Sequence, residues 1–186
     1  DTEAALGYLV EAANGGNAYA AQLLGEAYLN GKGVERDPQL ARKWLTRAAE
    51  SGSLSSQASL GRALLHGDGG LTQDIERGHQ LLLDAAQQGH AGAQATLGRA
   101  YLRGELLEKN SRKGAEYLFK AARQGHPTAR LALAKAYLWA NGLESANQQQ
   151  ALLWLEKVIE SDSQIALETL RQLLANERAA KAASQT

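Results

Sequence analysis

The 186 residues contain no cysteine and no methionine, only one Phe, and 5% aromatic residues in all. Without cysteine there is no disulfide framework, no thiolate nucleophile and no Cys-based zinc or iron–sulfur site. Charge of one sign is also missing: Lys plus Arg and Asp plus Glu number 20 each, so no net field draws the chain to nucleic acid or to an acidic membrane. No apolar run approaches the roughly 20 residues of a transmembrane helix, and no signal-peptide pattern is expected within the residues that open on Asp1. The lack of Met, initiator included, leads us to expect a mature or excised segment, with any targeting signal or lipid anchor lying upstream of it. What remains, 44% hydrophobic and 22% charged, is ordinary for a globular chain able to bury a core.

What is present is repetition. Ala-Ala pairs stand at Ala12-Ala13, Ala48-Ala49, Ala85-Ala86 and Ala121-Ala122, with Val158-Ile159 in the next register, and their first members step by 36, 37, 36 and 37 residues. A turn residue follows each pair, at Gly16, Gly52, Gly89, Gly125 and Asp162. A Leu-Gly column runs Leu24-Gly25, Leu60-Gly61, Leu97-Gly98, and becomes Leu133-Ala134 in the fourth unit. A fixed period of this length is the signature of a stacked repeat fold.

Each unit reads as two helices. The first, helix A, spans about Ala18 to Asn30 and its counterparts, and closes on Gly-bearing turns such as "NGKGV" (30–34) and "HGDGGL" (66–71). The second, helix B, starts at the N-cap residues Asp37, Asp74, Asn110 and Asn147, with Pro38 where its missing N–H does no harm. On a helical wheel, Ala20, Leu24, Ala27 and Tyr28 form one stripe of helix A and Ala18, Gly25 and Leu29 another on nearly the opposite side. One is expected to meet the helix B of its own unit and the other a neighbouring unit, the Ala and Gly positions letting backbones approach closely. Trp44 and Trp154 share a helix B column with Leu81 and Tyr117 and are expected in the core.

The order Ala-x-Ala, Leu-Gly, Ala-Tyr, Gly-x-Gly-Val, Asp, Ala, Trp and Ala-Ala-x-x-Gly in "AYAAQLLGEAYLNGKGVERDPQLARKWLTRAAESG" (18–52) closely resembles the Sel1-like repeat, a tetratricopeptide-related helix pair. The expected fold is therefore all-α: an α-solenoid of about four helix-turn-helix repeats of 36–37 residues with an orphan helix at each end. Its divisions are the second helix of a truncated upstream repeat (1–17), repeats over 18–53, 54–90, 91–126 and 127–162, a C-terminal capping helix (163–176) and a polar tail (177–186). The uncapped start suggests the C-terminal part of a longer array.

The resemblance also implies that helix A lines the concave face. The side of helix A that the two stripes leave uncommitted reads Tyr19, Leu23, Glu26, Asn30 in unit 1, and Ser55, Ser59, Arg62, His66 in unit 2. It continues as Gly92, Thr96, Arg99, Arg103 and then Thr128, Ala132, Lys135, Trp139. Such a row is either a solvated face or a binding groove. Its alignment over three units and the nearby Trp139 favour a groove that binds through Arg62, His66, Arg99, Arg103, Lys135 and Trp139. His90 and His126, in the column of Asn17 and Ser53, read as helix-entry residues rather than metal ligands or catalysts. His66, Asp68 and Asp74 faintly resemble a cation loop, but the bidentate acid that closes one is missing.

No phosphate loop, Gly-x-Ser-x-Gly, paired carboxylates or Ser-His-Asp set is visible, so no catalysis, metal or cofactor is expected. The function implied by the resemblance is a protein–protein interaction scaffold. Among bacterial members this means an adaptor in envelope complexes, and the periplasmic lipoprotein scaffolds of alginate and other exopolysaccharide secretion are the kind expected here. Abundant Ala, Gln and Arg point to a GC-rich bacterium, and the periplasm or the periplasmic face of the outer membrane is the expected location. Two other readings stand beside it: direct binding of an acidic polysaccharide in the groove, and a regulatory array attached to a catalytic domain. Nucleic acid is not an expected partner.

Overall fold

The computed structural model describes residues 2–138. These form eight α-helices: α1 (Thr2–Asn14), α2 (Ala18–Asn30), α3 (Pro38–Glu50), α4 (Leu54–His66), α5 (Ile75–Gln87), α6 (Ala91–Arg103), α7 (Ser111–Arg123) and α8 (Pro127–Leu138). A 3-10 turn at Asp68–Gly70 lies between α4 and α5, and no strand occurs among the described residues. The expected Asn147 N-cap, Trp154, Trp139, the capping helix and the tail lie outside the described residues.

Local chemistry sets the ends. Asp37 accepts from the N–H groups of Gln39 and Leu40 at 2.9 Å, Asp74 from Arg77 at 3.0 Å and Asn110 from Lys113 at 2.9 Å, so each helix B begins where a short polar side chain satisfies free amides. The N–H groups of the same three residues donate back to the carbonyls of Tyr28, Leu64 and Tyr101, which ties each loop to the helix A it leaves. The first helix of each unit stops at Gly31, Gly67 or Gly104. These adopt φ of 68, 74 and 70°, which an L side chain rarely tolerates, and their N–H groups close onto Ala27, Ala63 and Ala100.

The helices pair as α2·α3, α4·α5 and α6·α7, and the pairs join through α1·α2, α3·α4, α5·α6 and α7·α8. The A helices also touch in succession, α2·α4, α4·α6 and α6·α8. That places them on the inside of the stack, and their burial agrees. On α3 the buried residues are Ala41, Trp44, Leu45, Ala48 and Ala49, a single stripe at helical spacing that marks an outer helix. In α6 every residue from Ala93 to Gly98 is buried, because its own B helix, the preceding B helix and two A neighbours enclose it. In unit 1 the Ala20–Leu24 stripe packs in one cluster with Ala13 of α1 and with Trp44 and Ala48 of α3, while Gly25 lies against Leu45 of α3. The expected division holds only in part: both stripes touch α3, and they differ in their second neighbour, α1 for the first and α4 for Leu29 of the second.

Two helix crossings bring glycine backbones together reciprocally. A Cβ on Gly98 would stand 2.9 Å from the carbonyl oxygen of Gly114, and a Cβ on Gly114 would stand 2.9 Å from the carbonyl oxygen of Gly98. Gly61 and Gly78 repeat the arrangement, at 3.0 and 2.7 Å. Trp44 and Leu81 are buried as expected. Tyr117, in the same column, is only half-buried, because its ring lies parallel on Tyr101 at 6.1 Å with Lys120 above it.

Candidate functional site

The inner faces of α4, α6 and the start of α8 enclose two adjoining cavities of about 230 Å³ each, which share Arg62, Thr96 and Arg99 as walls. The first continues toward the helix ends through His66, Asp68, Arg103 and Glu105. The second continues toward the helix starts through Ser59, His90, Gly92 and His126. A more open hollow elsewhere is lined by Phe119, Lys120 and Arg123 of α7.

Four of the six residues expected to bind a partner, Arg62, His66, Arg99 and Arg103, line one cavity. Lys135 sits half-buried on α8 with an interaction of its own, and Trp139 lies outside the described residues. The expectation that this face is uncommitted needs two corrections. Arg62 is not free: its Nη1 donates to Asp68 Oδ2 at 2.6 Å, the side chains being 39% and 44% exposed. Thr96 is only 6% exposed, with its hydroxyl donating to the Gly92 carbonyl at 2.9 Å, because the A helices pack on one another along this line. The faint cation loop also has its carboxylates committed, Asp68 to Arg62 and Asp74 to the cap of α5.

Arg99 is the centre of the site. Among the described residues neither Arg99 nor Arg103 has a carboxylate within ion-pair distance. Burial, then the neighbouring Arg103 and Arg62, hold the Arg99 guanidinium below its ordinary range, although it stays charged at neutral pH. The groove therefore holds a half-buried cation among like charges, which an anion would relieve.

His90 and His126 belong to this site, which the sequence did not suggest. His90 does cap α6 as expected: its Nδ1 accepts from the Ala93 N–H at 3.1 Å. That bond needs a lone pair on Nδ1, so the neutral ring carries its hydrogen on Nε2. Nε2 lies 3.5 Å from Ser55 Oγ on α4. His126 Nδ1 is 3.2 Å from Thr128 Oγ1, while its Nε2 stands 3.9 Å from where a Cβ on Gly92 would be. Ser55 and Gly92 are equivalent positions one repeat apart, so each histidine reaches across to the A helix before it. Burial lowers the pKa of His90; burial, then Arg99 and His90, lowers that of His126. The column already bridges successive A helices in unit 2, where Ser53 Oγ donates to Gln22 Oε1 of α2 at 2.9 Å, and the histidines make the same crossing with an imidazole.

Comparison with known proteins follows the same lines. Residues 18–53, 54–90, 91–126 and 127–163 each match the Sel1 repeat model. The chain is 32% identical to a protective antigen present in uropathogenic Escherichia coli strains that displays an SLR fold, over 94% of this chain and 37% of that one, with a TM-score of 0.78. It is 33% identical to a Sel1 repeat protein from Oxalobacter formigenes, over 93% of this chain and 49% of that one, at a TM-score of 0.76. A sel1 repeat protein from Klebsiella pneumoniae is 25% identical at a TM-score of 0.59, with 91% of this chain and 83% of that one covered. The chain thus spans less than half the length of the first two. No match is found among curated proteins. Among the described residues no helix is long and apolar enough to cross a membrane. Four matched repeats and a stack of paired helices with glycine contacts lead to one conclusion: the chain belongs to the Sel1 repeat family, whose arrays generally act as protein–protein interaction scaffolds.

Proposed function

We propose that the chain is a non-catalytic adaptor that holds a partner protein in its concave groove. The observation that carries this reading is the pair of cations Arg99 and Arg103 on inner helix α6, which have no carboxylate within ion-pair distance among the described residues. Burying half of a guanidinium with no acceptor opposes folding, and a ligand that supplies acceptors removes that cost. Each cavity of about 230 Å³ is below the roughly 300 Å³ at which small-molecule pockets begin, so it suits one side chain of a larger partner.

We further place this adaptor in a bacterial envelope, at the periplasm or the periplasmic face of the outer membrane, within an exopolysaccharide export complex of the alginate type. The resemblance to bacterial Sel1 arrays supports this, as does the similar Escherichia coli protein being a protective antigen. A second reading, direct binding of an acidic polysaccharide, has the positive groove in its favour. Against it, neither cavity wall contains a Trp, Tyr or Phe ring among the described residues on which a sugar could stack.

Site-specific photocrosslinking in the source bacterium tests the adaptor. A crosslinker at Ser59, inside the groove, should capture a discrete protein, whereas one at Gln80, exposed on outer α5, should not. Capture from Gln80 alone would move the interface to the convex side.

A further inference from the structure

We propose that the two cavities form one site for an acidic segment of the partner, with one carboxylate held by Arg99 and the Nε2 atoms of His90 and His126, and a second by Arg103 and His66. This deepens the adaptor reading and rests on it.

The first subsite is defined by converging donors. The capping bond on His90 Nδ1 leaves its hydrogen on Nε2, which a carboxylate would draw from its long 3.5 Å contact with Ser55 Oγ, and His126 Nε2 on the same cavity wall is a donor in the tautomer whose Nδ1 accepts from Thr128 Oγ1. With the Arg99 guanidinium beside them, these donors match the two oxygens of a carboxylate, since a guanidinium fork binds that group in a bidentate manner. Among the described residues no carboxylate lines this cavity. The charged and titratable groups that do line it are Arg62 from α4, Arg99 from α6, and His90 and His126 at the heads of α6 and α8.

The second subsite is tuned rather than bare. Asp68 neutralises Arg62, and Glu105 lies on the wall without reaching ion-pair distance to Arg103. Arg103 and His66 are exposed at the ends of their helices, so a second carboxylate there stays partly solvated and serves mainly for register. The two cavities share Arg99, which sits between the two anions and interacts with both. An acidic protein segment suits this better than a sugar polymer, because discrete single-side-chain cavities on either side of one arginine select spaced carboxylates on a flexible stem.

The test is calorimetric titration of the full chain, at neutral pH and low salt, with a short synthetic peptide of alternating Glu and Ser. Its Gln–Ser counterpart and a uronic-acid oligosaccharide serve as the other probes. The Glu–Ser peptide should bind and the Gln–Ser peptide should not. Arg99→Gln should weaken binding roughly tenfold or more, as expected for a charge-assisted bond. His90→Asn keeps a capping side chain, as Asn17 does in unit 1, and removes the Nε2 donor, so it should weaken binding while the melting curve stays near that of the natural chain. Asp68→Asn frees Arg62 and should tighten binding. Nitrogen-15 shifts of the His90 and His126 rings should move with the Glu–Ser peptide. Equal binding of the two peptides, unchanged affinity in Arg99→Gln, silent histidine rings, or binding of the uronate oligomer alone overturns the proposal. Groove crosslinking from Ser59 would stand through any of these, so the two readings fail separately.

Discussion

Replacing Gly98 by Ala adds one methyl group at the tightest helix crossing of the third unit. That methyl would stand 2.7 Å from Leu118 Cγ and 2.9 Å from the Gly114 carbonyl oxygen, against the roughly 3.5–4.0 Å of an ordinary contact. The leucine has rotamers to move into, but the carbonyl belongs to the backbone of α7 and cannot turn aside. The helices must then separate by about 1 Å, loosening the packing of Leu118 and Ala121, which are fully buried at present. Overpacking of this kind costs about 1–3 kcal/mol, and contact with backbone argues for the upper half. Alanine recovers about 1 kcal/mol of helix propensity, so a net loss of about 1–2 kcal/mol is expected. Gly7→Ala is the matched control: it lies within α1 with nothing within 4 Å of its Cβ position, so only the propensity gain applies and it should stabilise by up to about 1 kcal/mol. Urea unfolding followed by circular dichroism measures both, and hydrogen exchange should show the Gly98→Ala loosening first in α6 and α7, because repeats couple mainly to their neighbours. A Gly98→Ala chain as stable as the natural one would refute the close-crossing argument.

Ser56 is fully buried with no hydrogen-bond partner for its hydroxyl among the described residues, in a column otherwise occupied by Ala20, Ala93 and Ala129. Ser56→Ala should raise stability by about 1 kcal/mol in the same unfolding assay, and a loss would reveal a hydrogen bond that the packing hides. The lowered pKa values of His79, His90 and His126 mean that the unfolded chain takes up protons before the folded one as pH falls. Stability should therefore be full above the ordinary imidazole value of about 6.5 and should decline as pH falls through the depressed folded values. Protonation of His90 Nδ1 also breaks the cap on Ala93, so in His90→Asn the decline between about pH 7.5 and about pH 5 should be smaller; an unchanged decline would remove His90 from the account.

Much of the fold was legible from the sequence because its signals act over a few residues. A cap is a bond between a side chain and an amide two or three positions on, so Asp37, Asp74 and Asn110 could be assigned without knowing anything else about the chain. The inner position of helix A came from the family resemblance, and the contacts between successive A helices agree with it. The reciprocal glycines of helix B were missed. Gly78 and Gly114 share a column with Ala41, a small-residue signal too weak to notice until their partners Gly61 and Gly98 are seen across the crossing.

The candidate site was legible only in part, again for a physical reason. Arg62, His66, Arg99 and Arg103 could be aligned by period alone, since a repeat places equivalent residues on equivalent faces. The Arg62–Asp68 pair could not, because it depends on the 3-10 turn at Asp68–Gly70, where the loop of unit 2 differs from the others. The sequence by itself determined the repeat, the helix ends and the apolar stripes, all of which follow from covalent neighbours and a 3.6-residue period. Tertiary structure alone decided that Thr96 is enclosed, that among the described residues Arg62 has an ion-pair partner while Arg99 has none, and that His90 and His126 share a cavity wall with Arg99. These outcomes depend on distances between residues about one repeat apart, and stacking sets those distances to within an ångström only once every unit is in place.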